Sequence, residues 1–309
     1  MKITKPNFWQ KPRSFMSIIL FPITFIVLII IFIKKKIHKE IKFNIPVLCI
    51  GNIYIGGTGK TPLSIFLAKE LKNLKIKPVI IKKFYKNHED EHLLIKKKNI
   101  PLISNVRRDK AILLAENEFN LAILDDGFQD YKIVKNMSII CFHHKQLIGN
   151  GYVFPSGPLR ESINSINRAQ IAIINGDKNI KFESKLLKIN SNIKIFYSKY
   201  KLINQEKFEN KDILAFAGIG NPNNFFDLLS SEGLKIRHTI SYPDHYNFQK
   251  EEILKIMKYA QKNKYTILTT EKDYLRIEKY KLPEINFCGI DLNISKKEEL
   301  LKLIESIYD

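Results

Sequence analysis

Short, uninterrupted apolar runs alternate along the chain with segments whose apolar residues recur every three or four positions. The runs at 45–53, 78–84, 101–104, 121–124, 138–142 and 171–174 predict buried strands, and the periodic segments at 62–74 and 109–118 predict amphipathic helices. Strands that are apolar at every position are covered on both faces, which predicts a mostly parallel sheet with helices on both sides. Past residue 195 the pattern restarts, with a strand at 212–217, helices at 223–234 and 249–261, strands at 265–268 and 285–289, and a last helix from Ser295. Two α/β domains are therefore expected, 41–203 and a smaller one at 204–309, with the polar stretch 204–211 as the seam. Neither an internal repeat nor a low-complexity segment is visible.

Ahead of both lies a different pattern. Residues 14–33 carry no charge, and twenty helical residues span about 30 Å, enough to cross a hydrocarbon core. Residues 1–40 are thus expected to form an N-terminal membrane-anchoring helix with basic flanks. Pro22 predicts a kink, so the helix either spans the bilayer or dips into one leaflet. A cleaved signal would have a shorter apolar stretch and a small-residue cleavage site, whereas this run meets Lys34, Lys35 and Lys36 directly. Lysines on both sides leave the orientation unspecified.

The 309-residue chain is 45% hydrophobic and 27% charged, a globular composition, with a net charge of +20. The excess suits an anionic bilayer surface or a phosphorylated substrate. Lysine is also scattered through nearly every segment, as a lysine-preferring genome would leave it. No basic block alternates with aromatics, which argues against nucleic acid as a partner. Cys49, Cys141 and Cys288 are widely spaced and form no metal-binding pattern, consistent with reduced thiols.

Candidate chemistry begins at Gly51–Pro62, GNIYIGGTGKTP, between the strand at 45–50 and the helix from Pro62. A strand-to-helix turn is where a phosphate loop belongs: glycines let backbone N–H groups converge on phosphate oxygens, and the helix N-terminus adds positive partial charge. The nucleotide-binding candidates are Tyr54, Ile55, Gly56, Gly57, Thr58, Gly59, Lys60 and Thr61. Lys60 would reach the β and γ phosphates and Thr61 would ligate Mg²⁺. Tyr54 stands where the common loop has its first glycine. Ile55 stands where membrane-surface switch ATPases of the partitioning type have a lysine. The run 121–130, LAILDDGFQD, is a strand ending in Asp125 and Asp126, the position from which a neighbouring strand offers metal ligands.

With FW, GNIYIGGTGKTP, LDDGFQ, GNG, PSGPLRE, AGIGNP, PDHY and TTEKD in this order, the chain from Phe8 to about Asp273 resembles the tetraacyldisaccharide 4'-kinase family. The resemblance implies ATP-dependent phosphorylation of the 4'-hydroxyl of an acylated disaccharide 1-phosphate lipid, giving lipid IVA, at the cytoplasmic face of the inner membrane. It implies ATP and Mg²⁺ as cofactors and no obligatory protein partner. It also implies a P-loop NTPase-like domain with a smaller C-terminal domain closing over the active-site cleft. Carried over residue by residue, it makes Asp90 the proposed base, His245 its companion and Lys60 a third catalytic group. It adds Gln129 to Thr61, Asp125 and Asp126 at the metal, and assigns Glu91, Arg108, Asn150, Arg160 and Glu161 to substrate binding. The alternative from the loop alone is a membrane-bound switch ATPase acting on a protein partner.

Three departures stand out. Asp130 follows LDDGFQ where the family usually has histidine, Lys82–Asn87 (KKFYKN) stands in place of SRGYGR, and His92 replaces a proline. A third carboxylate beside Asp125 and Asp126 is expected to tighten cation binding or to raise a neighbour's pKa.

Overall fold

The computed structural model describes residues 6–85 and 89–308; Lys86 and Asn87, the end of the KKFYKN stretch, and His88 lie outside the described residues. In chain order the elements are α1 (Phe15–Ile19), α2 (Phe21–Ile37), β1 (Val47–Gly51), α3 (Lys60–Asn73), β2 (Pro78–Lys83), α4 (Glu89–Lys97), β3 (Leu102–Asn105), α5 (Arg108–Ala115), β4 (Leu121–Asp125), β5 (Met137–His143), β6 (Ile171–Asn175), α6 (Ile180–Ile189), β7 (Lys194–Ile203), β8 (Asp212–Ala217), α7 (Pro222–Ser231), β9 (Lys235–Ser241), α8 (Lys250–Asn263), β10 (Thr266–Thr270), α9 (Glu271–Ile277), β11 (Ile285–Ile294) and α10 (Lys297–Glu305).

Two compact units emerge. The first holds residues 1–84, 100–199 and 294–309, around a parallel sheet in the order β3-β2-β4-β1-β5-β6-β7. Strands β1, β4, β5 and β6 are buried at every position, as their unbroken apolar sequences require. The second holds residues 85–99 and 200–293. Its parallel strands run β11-β10-β8-β9, and alternate residues of β8 feed two cores: Ile213, Ala215 and Ala217 on one side, Leu214 and Phe216 on the other.

The division differs from the expected boundaries at two places. Residues 85–99, expected in the first domain, pack in the second unit, with α4 against α9. The C-terminal helix returns to the first, where Lys297 pairs with Glu70 at 3.1 Å and the Ser295 amide donates to the Tyr197 carbonyl at 2.8 Å. No local pattern encodes either choice, because each is decided by which distant surface the helix meets.

The N-terminal expectation also changes. The uncharged run is two helices broken at Leu20, with Pro22 in the first turn of α2, where its missing N–H costs nothing. Among the described residues no helix is long and apolar enough to cross a membrane, so a spanning helix is not supported. The pair is instead fastened by its polar residues. The Thr24 hydroxyl donates to Ser156 Oγ at 2.8 Å and accepts from the Ser156 amide at 3.1 Å. Trp9 Nε1 donates to the Pro155 carbonyl at 3.1 Å. Ser17 and Thr24 are buried while Phe15, Ile18, Phe21, Phe25 and Ile26 are exposed.

Candidate active site

The glycine-rich loop leaves β1 and enters α3 at Gly59, whose φ of 93° is the left-handed conformation that glycine adopts at little cost; Gly56, at φ 121°, does the same at the other end. The Asn52 side-chain amide braces the turn from inside, donating to Thr58 Oγ1 at 2.9 Å and to the Gly56 carbonyl at 3.2 Å. The tyrosine at the loop entry has a structural reason. Tyr54 forms an antiparallel bridge with Leu159, the Ile55 amide donates to the Pro158 carbonyl at 2.8 Å, and the Arg160 amide donates to the Ile53 carbonyl at 2.7 Å. The entry is therefore held extended by the PSGPLRE segment and needs no glycine. The Tyr54 ring is buried, and its hydroxyl accepts from Gln10 Nε2 at 2.7 Å.

Strand β4 lies beside β1 with Asp125 opposite Ile50, which brings its end to the start of α3. The Thr61 hydroxyl donates to Asp125 Oδ2 at 2.8 Å, and Lys82 from β2 pairs with the same oxygen. Asp125 is buried, and its Oδ1 has no hydrogen-bond partner. Asp126, at φ 60°, turns away from its neighbour. Arg160 Nη1 donates to Asp126 Oδ1 at 2.7 Å, and Lys60 Nζ lies 3.6 Å from it. Burial alone would raise the Asp126 pKa, but Lys60, Arg160 and Arg108 outweigh it and hold the carboxyl at about 2.

The other sequence candidates fall around this core. Gln129 donates to the Asn52 carbonyl and to Glu161 Oε1, both at 2.9 Å, and accepts from Arg160 at 3.3 Å, which ties it to the loop and to Glu161 rather than to Thr61. Glu161, buried, also accepts from Tyr131 at 3.0 Å and from Arg168 at 2.5 Å, and pairs with Lys35 at 3.2 Å. Arg108 Nη2 donates to the Asp126 carbonyl at 2.9 Å, and Nη1 lies 3.7 Å from Asp130. The third carboxylate is thus met by an arginine, and the expected upward shift is not found at Asp126. The Asn150 amide donates to Ser17 Oγ and the Ser156 carbonyl, both at 3.0 Å, and to the Phe8 carbonyl at 3.4 Å, so it ties the N-terminal segment to the PSGPLRE loop.

In the second unit a separate cluster forms around Asp90. His245, at φ 54° in the PDHY turn, places Nδ1 3.1 Å from Asp90 Oδ1. Arg276 donates to Asp90 Oδ2 at 2.5 Å, and Lys272 Nζ lies 3.3 Å from that oxygen and 3.1 Å from Glu91 Oε1. Burial would raise the Asp90 pKa, yet the hydrogen bond from His245 and the charges of Lys272 and Arg276 hold it far below the usual carboxylate range. Behind Arg276 stands Asp273, fully buried, which accepts from the Gly218 amide at 2.9 Å and from Thr270 Oγ1 at 2.7 Å and pairs with Arg276. Asp90 and His245, expected in different domains, belong to one unit.

Sequence reasoning missed Lys82, Lys272, Arg276 and Asn52. The last three had a readable signal: Asn52 stands inside the quoted loop motif, Lys272 stands in TTEKD, and Arg276 follows Asp273 by one helical turn.

Parallel α/β proteins bind nucleotides at the carboxyl ends of their strands, and a glycine loop feeding a helix there defines the nucleotide-binding class to which this fold and site conform. The chain belongs to the tetraacyldisaccharide-1-P 4'-kinase family, whose pattern matches residues 16–309. It is 41% identical over 311 residues to tetraacyldisaccharide 4'-kinase of Pelagibacter ubique, covering 99% of this chain and 98% of that one. To the Bartonella quintana protein of the same name it is 32% identical over 90% of this chain and 86% of the other. The crystal structure of LpxK from Aquifex aeolicus in complex with ATP superposes with a TM-score of 0.74, at 24% identity over 95% of this chain and all of that one, and shows the same fold.

Proposed function

We propose a residue-level account of how this chain carries out the reaction of its family. The protein is an ATP-dependent kinase that phosphorylates the 4'-hydroxyl of tetraacyldisaccharide 1-phosphate, the lipid A precursor. The observation that carries the site assignment is the meeting of Thr61, Lys60, Asp125 and Asp126 at the mouth of the glycine loop. Lys60 and the loop amides bind the terminal phosphates of ATP, and Arg160, already on Asp126, adds a second positive charge there.

A divalent cation fits the residues present. Thr61 and Asp125 supply a hydroxyl and a carboxylate, and the buried, unpartnered Asp125 Oδ1 is an oxygen in want of a cation. Among the described residues no group of three His, Cys, Asp or Glu side chains is placed to hold a metal ion; Mg²⁺ needs no such group, since it takes one or two protein oxygens and fills its shell with phosphate and water. Bound there, Mg²⁺ would neutralise charge on the β and γ phosphates.

Asp90 accepts the proton of the sugar hydroxyl and His245 orients it. A carboxylate so firmly ionised is a weak base, but phosphoryl transfer through a loose transition state asks chiefly for orientation of the hydroxyl. Glu91, Arg108 and Glu161 bind or position the phosphorylated disaccharide. The exposed apolar face of α1 and α2, bounded by Lys34, Lys35 and Lys36, rests on the cytoplasmic leaflet of the inner membrane, where the acyl chains of the substrate are.

The test is direct. Purified protein with γ-labelled ATP and tetraacyldisaccharide 1-phosphate transfers label to lipid; release of label only as free phosphate overturns the proposal and favours a switch ATPase.

A further inference from the structure

Lys82 lies one residue from the end of β2, nearly buried, with its ammonium in a salt bridge to Asp125 Oδ2 and 3.4 Å from Thr61 Oγ1. Thr61 in turn donates to that same carboxylate oxygen. The two side chains assigned to a divalent cation therefore already surround a cation, one that belongs to the chain. The Asp125 side chain is 0% exposed, and a buried carboxylate without a counter-charge is strongly destabilising. Lys82 supplies that charge. An ammonium and a divalent ion a few ångströms apart in a poorly hydrated site repel each other, so the two compete for Asp125. The remaining Asp125 oxygen, buried and without a hydrogen-bond partner, is the acceptor that the lysine leaves unsatisfied.

We propose that Lys82 is a tethered counter-cation in the divalent-cation site, which holds Thr61 and Asp125 together in the metal-free protein and must be displaced before a metal can bind them. The protein alone consequently binds divalent ions weakly, and the metal enters with its nucleotide, whose phosphates give the displaced ammonium a new anion. This rests on the assignment of Thr61 and Asp125 as metal ligands. Lys82 opens the KKFYKN stretch, which stands where the family usually has SRGYGR.

The probe is Mn²⁺ without nucleotide, titrated into the folded protein and followed by electron paramagnetic resonance. Lys82→Met, matched in length, binds Mn²⁺ at least about tenfold more tightly than the wild type. Lys82→Ser, a shorter neutral side chain, does the same should the methionine variant fail to fold. Affinity equal to or below wild type in the folded variants overturns the proposal. The double variant Lys82→Met/Asp125→Asn separates the two ideas. If it loses the tight site, the metal assignment stands on its own; if it keeps that site, Mn²⁺ is elsewhere and the assignment of Asp125 fails first.

Discussion

The two units each carry a pair of adjacent carboxylates met by lysine and arginine, and they use the same ingredients in opposite ways. At the end of β4 the backbone splits the pair: Asp126 takes a left-handed φ, so Asp125 goes to Thr61 and Lys82 while Asp126 goes to Arg160 and Lys60. At the start of α4 Asp90 and Glu91 converge, and Lys272 reaches both. The strand end leaves one buried acceptor, Asp125 Oδ1, open. The helix start leaves neither Asp90 oxygen without a partner, with His245 on Oδ1 and Arg276 and Lys272 on Oδ2. An open acceptor suits a cation that comes and goes, whereas a fully engaged one suits a fixed anion that orients a hydroxyl and an imidazole.

The largest effect is expected at the fixed anion. Asp90→Asn keeps the shape but removes the charge and the proposed proton acceptor, and should lower kcat by about 10²- to 10⁴-fold. Binding of ATP, measured by isothermal titration calorimetry, should be unchanged, because the residues proposed to bind the nucleotide belong to the other unit. A drop in ATP affinity of the same size would erase the functional difference between the two pairs.

Next comes the strand end. Asp125→Asn leaves the Lys82 ammonium buried without its carboxylate and should cost about 3 kcal/mol of stability. Adding Lys82→Met should recover most of that loss, since the uncompensated charge goes with it. Urea denaturation of the two single variants and the double variant closes the cycle; additive losses would show that Lys82 and Asp125 are not coupled.

Arg276→Gln tests the helix start more gently. At neutral pH it should cost about 2 kcal/mol, the worth of a hydrogen bond to a charged group. Its diagnostic is pH dependence. In the wild type the Asp90 pKa is depressed in the folded state, so its contribution is full above the unfolded carboxylate value of about 3.9 and is lost as pH falls toward the folded value. Without the guanidinium the folded value rises, and the gap between neutral and acid stability narrows. Melting temperatures taken from neutral pH down to about pH 3 should therefore fall less steeply for the variant; parallel curves would mean that Arg276 does not set the charge on Asp90.

What the sequence revealed about each pair follows the same divide. Asp125 and Asp126 were legible because a strand and its turn are local: the apolar run 121–124 announces the strand, and parallel pairing with β1 carries its end to the glycine loop. Thr61 and Lys60 were legible for the same reason. Asp90 was named only through resemblance, since nothing near it in the chain distinguishes it from a solvated acid. Its holders are remote, with Arg276 186 positions away and His245 155. Lys82 was hidden differently. A lysine near the end of a strand reads as solvated, and only the register of β2 against β4 turns it inward to Asp125. The strands β7 and β9 were missed because lysine, arginine and tyrosine interrupt their apolar positions, and both bury only part of their surface. The folding of residues 85–99 and of α10 into units other than those their sequence neighbours suggest is set by tertiary packing alone.

The smallest effect belongs to an ion pair on the same helix as Asp90. Lys97 Nζ lies 2.8 Å from Glu278 Oε1, closer than Lys272 is to Asp90, so by distance alone it ranks as the better contact. Its two side chains are 44% and 49% exposed, however, and water screens the attraction while both chains lose freedom to make it. Lys97→Ala should therefore change stability by no more than about 0.5 kcal/mol and leave kcat within error. Added salt should shrink even that difference, since exposed pairs are screened over about 10 Å at moderate ionic strength. A loss as large as that of Arg276→Gln would mean that proximity, rather than burial, sets the strength of the charges on α4, and the contrast drawn between the fixed anion and the open acceptor would lose its physical basis.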